Sequence, residues 1–217
     1  MSKTDSQLKS DIEDELQWDP KVNAARVGVS VDKGVVSLFG AVDTYAEKVE
    51  AEAATKRVSG VRTVAQDLTV KLLVDHMRSD SEIAAAIQRA LEWDVYVPAT
   101  VTAKVERGTV TLEGQVTWNY EREAAERAVH HLAGVVAIRN SITLKPQTSA
   151  TQVKESVLAA LQRQATSDAK SIHVDTLGTK VTLTGHAASW QSIIDASNAA
   201  WAAPGVTQVI DLVKLSQ

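Results

Sequence analysis

Five histidines, His76, His130, His131, His173 and His186, are the side chains best suited to holding a transition metal or moving a proton. A helical metal site needs two imidazoles on one face, as in an HxxxH pair, and no such pair occurs. His130 and His131 are adjacent, and within a helix they would project about 100° apart. Satisfied or solvated histidines are therefore expected, with no metal and no cofactor. Carboxylates are plentiful, with Asp11, Glu13, Asp14 and Glu15 in one cluster and Glu121, Glu123 and Glu126 in another. General acid–base chemistry needs a carboxyl with a raised pKa inside a cleft. Interleaved with Lys and Arg, these groups read instead as solvated helix faces. The spacings of a zinc peptidase, a phosphate-binding loop, a nucleophile elbow and a dinucleotide fold are all missing, and there is no cysteine. The expectation is a protein that is not an enzyme.

Aromatic residues make up only 4% of the chain, which makes their placement informative. Tyr45, Trp118, Tyr120 and Trp190 all fall where a strand-like run gives way to a helix-like one. Amphipathic rings suit a boundary that is half wet and half apolar. A staple fixing the angle at which the helix begins is the alternative. A second group, Trp190, Ile194, Ser197 and Trp201, recurs at near-helical spacing in SWQSIIDASNAAWAAPG, whose one charge is Asp195. These residues either fill a local core, dock it on a neighbour, or form a contact surface for lipid or a protein partner. Trp18 and Trp93 each precede an aspartate at the end of a helical pattern, and they are expected to cap cores.

The elements that position these groups repeat three times. GVVSLFG, GTVTLEG and GTKVTLTG begin at Gly34, Gly108 and Gly178, and Gly40/Gly60, Gly114/Gly134 and Gly185/Gly205 are each 20 residues apart. Ahead of them lie apolar stripes at helical spacing: Leu8, Ile12, Leu16; Ile83, Ile87, Leu91; Val153, Val157, Leu161. Alternation at Val27, Val29, Val31 and at Val101, Ala103, Val105 predicts a half-buried strand, turned back by Lys33-Gly34 or Arg107-Gly108. Val36/Leu38, Val110/Leu112 and Val181/Leu183 face inward on the return strand. A second helix, about Thr44 to Ser59 in the first copy, is expected to end with Gly60, Gly134 or Gly205 at its C′ position. A last strand keeps its apolar positions in all copies: Val61, Val64, Leu68, Val70; Val135, Ile138, Ile142, Leu144; Val206, Val209, Val213, Leu215. The fold class is α+β: three tandem small α-β-β-α-β sandwich domains over 1–75, 76–147 and 148–217. Each has a three-stranded mixed sheet with two helices on one face. A unit of this size is marginal alone, so some docking between units is expected.

The chain of 217 residues is 44% hydrophobic and 23% charged, as in soluble globular proteins. Its net charge of −4 gives no basic face for nucleic acid. Charge falls along the chain. Basic and acidic groups number 10 and 13 in the first unit, 8 and 9 in the second, 5 and 5 in the third. No stretch approaches the ~20 apolar residues of a membrane span, and the N-terminal residues lack the apolar core of a secretory leader. The expected location is cytoplasmic, peripheral at the membrane.

The strand motif V-S-L-F-G, V-T-L-E-G and V-T-L-T-G, the 20-residue gap, and the openings Gly60-Val61, Gly134-Val135 and Gly205-Val206 resemble the BON domain, named for bacterial osmotic-stress and nodulation proteins. The resemblance implies a small α-β-β-α-β sandwich without a general catalytic motif, and association with phospholipid surfaces or envelope partners in stress response. The functional expectation is a non-enzymatic binding or scaffold protein whose several weak contacts sum through high effective concentration. The expected binding residues are Trp190, Ile194, Trp201, Trp118, Tyr120 and Tyr45. The alternative is capture or transport of a small ligand or ion by a homo-oligomer of these domains.

Overall fold

The structure, a computed structural model, describes residues 3–146, 157, 159 and 171–215. It is a mixed α+β protein with small mixed sheets. The backbone gathers into two compact units, one from Met1–Val95, Thr102–Glu113 and Ala125–Ser141, the other from Tyr96–Val101, Gly114–Ala124 and Ile142–Gln217.

In the first unit, α1 (Asp5–Trp18) opens with a reciprocal cap: the Thr4 hydroxyl accepts from the Gln7 N–H, and the Gln7 amide oxygen accepts from the Thr4 N–H. Its stripe Leu8, Ile12 and Leu16 is buried. β1 (Val27–Asp32) runs antiparallel to β2 (Val35–Val42). The chain then crosses through α2 (Tyr45–Arg57) to β3 (Thr63–Val70), which pairs parallel with β2 because the helical crossover returns the strand in the same direction. Val36 and Leu38 of β2 are fully buried with Val29, Ala51, Ala54 and Val61. Val35 and Phe39 point the other way and remain exposed.

The same unit contains α3 (Asp80–Trp93), capped reciprocally by Ser79 and Glu82, with Ile83, Ile87 and Leu91 buried. β4 (Thr102–Glu106) and β5 (Thr109–Glu113) are antiparallel, and β7 (Ala137–Asn140) is parallel to β5. The other unit contains the short parallel pair β6 (Gln115–Val116) and β8 (Thr143–Leu144). α4 covers Asn119–Val129. The last sheet is β9 (Ile172–Leu177), β10 (Lys180–Ala187) and β11 (Gln208–Leu215), with α5 (Trp190–Trp201) between β10 and β11. β10 is central, antiparallel to β9 and parallel to β11. Its core joins Val157, Ile172, Val174, Val181, Leu183, Ala196, Ala199 and Val206. Of the third expected helical stripe, Val153 and Leu161 lie outside the described residues, and Val157 is fully buried.

Two kinds of glycine explain why the motif recurs. Gly40, Gly114 and Gly185 have φ of 121°, 136° and 116°. A Cβ there would come within 2.3, 2.4 and 2.0 Å of the carbonyl oxygens of Arg26, Thr100 and Ser171, so the strand can bend only without a side chain. Gly60, Gly134 and Gly205 do not sit at the C′ positions expected for them. The helices end earlier, at Arg57, Val129 and Trp201. Each glycine occupies the third place of a turn closed by Val61 N–H to Val58 O, Val135 N–H to Leu132 O, or Val206 N–H to Ala203 O. With φ of 104°, 90° and 85°, it meets the positive φ that a type II turn requires, and Pro204 precedes the third.

Candidate functional site

Carboxylates fasten the local frame. The Asp5 side chain accepts hydrogen bonds from the Lys33 and Gly34 amides at 2.8 and 3.2 Å, pinning the start of α1 to the first hairpin turn. Asp80 holds Arg107 and Gly108 in the same way at 2.8 and 2.9 Å. Those two amide hydrogen bonds keep the Asp80 carboxyl below its ordinary range. Glu47 is buried and accepts from the amides of Asn23 and Asp43, both at 2.8 Å. Glu121 accepts from Thr117 and Trp118 at 2.8 and 2.9 Å. Asp19, also buried, takes Arg57 Nη2 at 2.8 Å and the Lys21 amide at 3.0 Å, and the Arg57 hydrogen bond chiefly lowers its pKa.

Of the acidic groups expected on solvated faces, Glu13, Asp14 and Glu123 are exposed, while Glu15, Glu121 and Glu126 are half-buried. Glu15 pairs with Arg57 at 2.9 Å, Glu123 receives Asn119 Nδ2 at 2.6 Å, and Glu126 receives Asn140 Nδ2 at 3.0 Å. Sequence spacing did not reveal these bonds, because most of the partners lie on other elements.

Two further expectations change. Trp18 and Trp93 cap no core, being 85% and 90% exposed. Each stands two residues after the last buried leucine of its stripe, Leu16 or Leu91. Two helical steps turn about 200°, to the opposite face. That rotation was legible in the sequence. Val95 is equally bare at 90%. The second change concerns His130 and His131, whose ring centroids lie 3.7 Å apart. α4 ends at Val129, so the angular step of a helix does not separate them.

The six expected binding residues are distributed unevenly. Tyr45 is the first residue of α2, in the first unit, and is partly buried. Burial first, then Glu126 and Glu52, raise its hydroxyl pKa. The other five lie in the second unit. Trp118 is partly buried just ahead of α4. Tyr120 is half exposed and meets the ring of Tyr96 edge-on, 6.0 Å between centroids. Trp190 begins α5 and is partly buried, and Ile194 is exposed on the same helix. Trp201 ends α5, packs against the last core, and carries the Arg122 guanidinium 4.7 Å from its ring centroid. The structure thus joins Tyr120 to Tyr96 and Trp201 to Arg122. Among the described residues, no group of three or more His, Asp or Glu has the geometry to hold a metal ion.

The bending glycines and the type II turns recur in all three copies, and the BON domain model matches residues 4–71, 79–146 and 149–217. The chain belongs to the BON domain family. Osmotically-inducible protein Y of Escherichia coli (strain K12) is 27% identical over 146 residues, spanning 65% of this chain and 73% of that protein. Among solved structures, the C-terminal domain of CdsD, a structural protein of the type III secretion system of Chlamydia trachomatis, aligns over 96% of both chains at 16% identity and a TM-score of 0.28. The periplasmic domain of the type III secretion inner membrane protein PrgH from S. typhimurium aligns over 94% of this chain and 100% of that one, at 12% identity and 0.23. Scores this low carry no argument about this chain. Among the described residues of the three BON repeats, no helix is long and apolar enough to cross a membrane.

Proposed function

We propose that this protein is a non-catalytic, three-module BON scaffold, with modules at 1–75, 76–147 and 148–217, that attaches peripherally to phospholipid surfaces in response to osmotic stress. The observation that carries this reading is the bareness of Trp18 and Trp93, displayed at matching helix ends of the first two repeats. An unshielded indole is a poor use of surface in water and a good one at a lipid boundary, where its ring is buried and its N–H stays wet. Val95 extends the second display. Trp118, Tyr120, Trp190 and Ile194 add further contacts, and Tyr45 and Trp201 contribute from partly buried positions. Weak modules on one chain then act through avidity. Similarity to an osmotically inducible protein supports the stress setting.

Burying an aromatic side chain is worth ~1.5–3 kcal/mol, about one to two decades of affinity. Cosedimentation with vesicles of phosphatidylglycerol and phosphatidylethanolamine should therefore lose at least tenfold in the double variant Trp18→Ser/Trp93→Ser, at both low and high salt. Trp190→Ser/Trp201→Ser should weaken binding less. Vesicle binding by Trp18→Ser/Trp93→Ser equal to that of the unaltered protein would rule the reading out.

A further inference from the structure

A cavity of about 110 Å³ opens in the first unit, lined by Tyr45, Leu72, His76, His130, His131 and Val135 among others. Three of the five histidines of the chain converge on it, drawn from the segment after β3 and from the turn after α4. The His130 and His131 rings lie 3.7 Å apart, tilted by 45°. His76 Nδ1 is buried and finds no hydrogen-bond partner. A buried polar atom without a partner calls for an explanation, and a segment that can move away from the cavity is one.

We propose that the wall of this cavity is a proton-operated latch worked by His130: while its imidazole is neutral, the segment around Leu72–His76 stays closed over the turn His130–Val135, and protonation of His130 drives the two apart. A charge placed on His130, with the His131 ring centroid 3.7 Å away and little water around it, is costly to carry. The groups around His130 are Glu126, whose charge and main-chain carbonyl both favour its protonated form, the main-chain carbonyl of Arg127, and, in the cavity lining, Tyr45 from α2 and His76 after β3. Glu126 already receives Asn140 Nδ2, so it offsets only part of the cost of a proton on His130.

Burial, and then His131, hold the His130 imidazole below its ordinary value of 6.5. A histidine depressed in the folded state contributes stability above the ordinary value, and that contribution is lost as pH falls below it. The latch is therefore closed at neutral pH and opens on the acid side of 6.5.

Hydrogen exchange of the full-length protein between pH 7.5 and 5, corrected for the intrinsic pH dependence of exchange, tests this. Amides in 72–77 and 130–135 should exchange about tenfold faster at the acid end, with no such change in β9 and β10, whose His173 and His186 are exposed. His130→Phe keeps a flat ring and removes the proton, and should abolish the response. His131→Gln should shrink it and bring the His130 titration, read by NMR, closer to the ordinary value. If His130→Phe fails to fold, His131→Gln decides alone. No acid response in the unaltered protein, or an undiminished one in His131→Gln, overturns the latch.

Discussion

At the corner where the middle strand gives way to the second helix, the first repeat buries a carboxylate and the third offers a hydroxyl. Glu47 receives two backbone amides there, in addition to the Thr44 cap that accepts from its own N–H at 3.0 Å. In the third repeat the corresponding residue is Ser192, and the Ser189 cap accepts from Ser192 N–H at 3.1 Å while the two hydroxyls also share a hydrogen bond at 3.1 Å. The contrast recurs at the hairpin. Asp5 and Asp80 clamp the first two turns, whereas at the same spacing before Gly178 the sequence reads Ser149, Ala150 and Thr151. The glycines that bend the strands and close the turns are common to all three copies, whereas the Asp5 and Asp80 clamps have no carboxylate at the same spacing before Gly178, and Ser192 stands where Glu47 does. Backbone geometry therefore defines the repeat, and electrostatics grade how firmly each copy is tied.

The largest test of this contrast is at the corner itself. Glu47→Ala leaves two amides without their acceptor, at ~1–3 kcal/mol each, so the first repeat should lose about 3 kcal/mol. Ser192→Ala should change the third by less than about 0.5 kcal/mol. Denaturant unfolding followed by repeat-resolved hydrogen exchange reads both. Equal losses would mean that the corner carboxylate is no fastener.

A smaller effect is expected at the caps. Ser189→Ala should cost about 1 kcal/mol, and Thr44→Ala about half of that, because Glu47 still ties the strand to the helix in the first repeat. A larger loss for Thr44→Ala would invert the comparison. The smallest effect lies at the exposed turn. Asp80→Asn should speed exchange of the Arg107 and Gly108 amides without unfolding the sheet. The lowered carboxyl pKa means this protection persists above the ordinary carboxylate value and is lost only as pH falls through the lowered one. After correction for the intrinsic pH dependence of exchange, protection at Gly178 should be unchanged over the same window.

Much of this protein was readable without coordinates. The period of the glycines, the helical stripes Leu8/Ile12/Leu16 and Ile83/Ile87/Leu91, and the inward pairs Val36/Leu38 and Val110/Leu112 follow from periodicities that local backbone geometry enforces, and all of these apolar residues are buried. Even the outward turn of Trp18 and Trp93 could have been counted from those stripes. Tertiary structure alone decided the rest, because it depends on which distant residues meet. No local pattern tells that Asp5 reaches a turn 28 residues later, or that Arg57 closes on Asp19. Nor does one tell that His76 meets His130 and His131 around one cavity after α4 stops one residue short of them. Periodicity says which face of an element is apolar; only the packed chain says what that face, and the charges beside it, will touch.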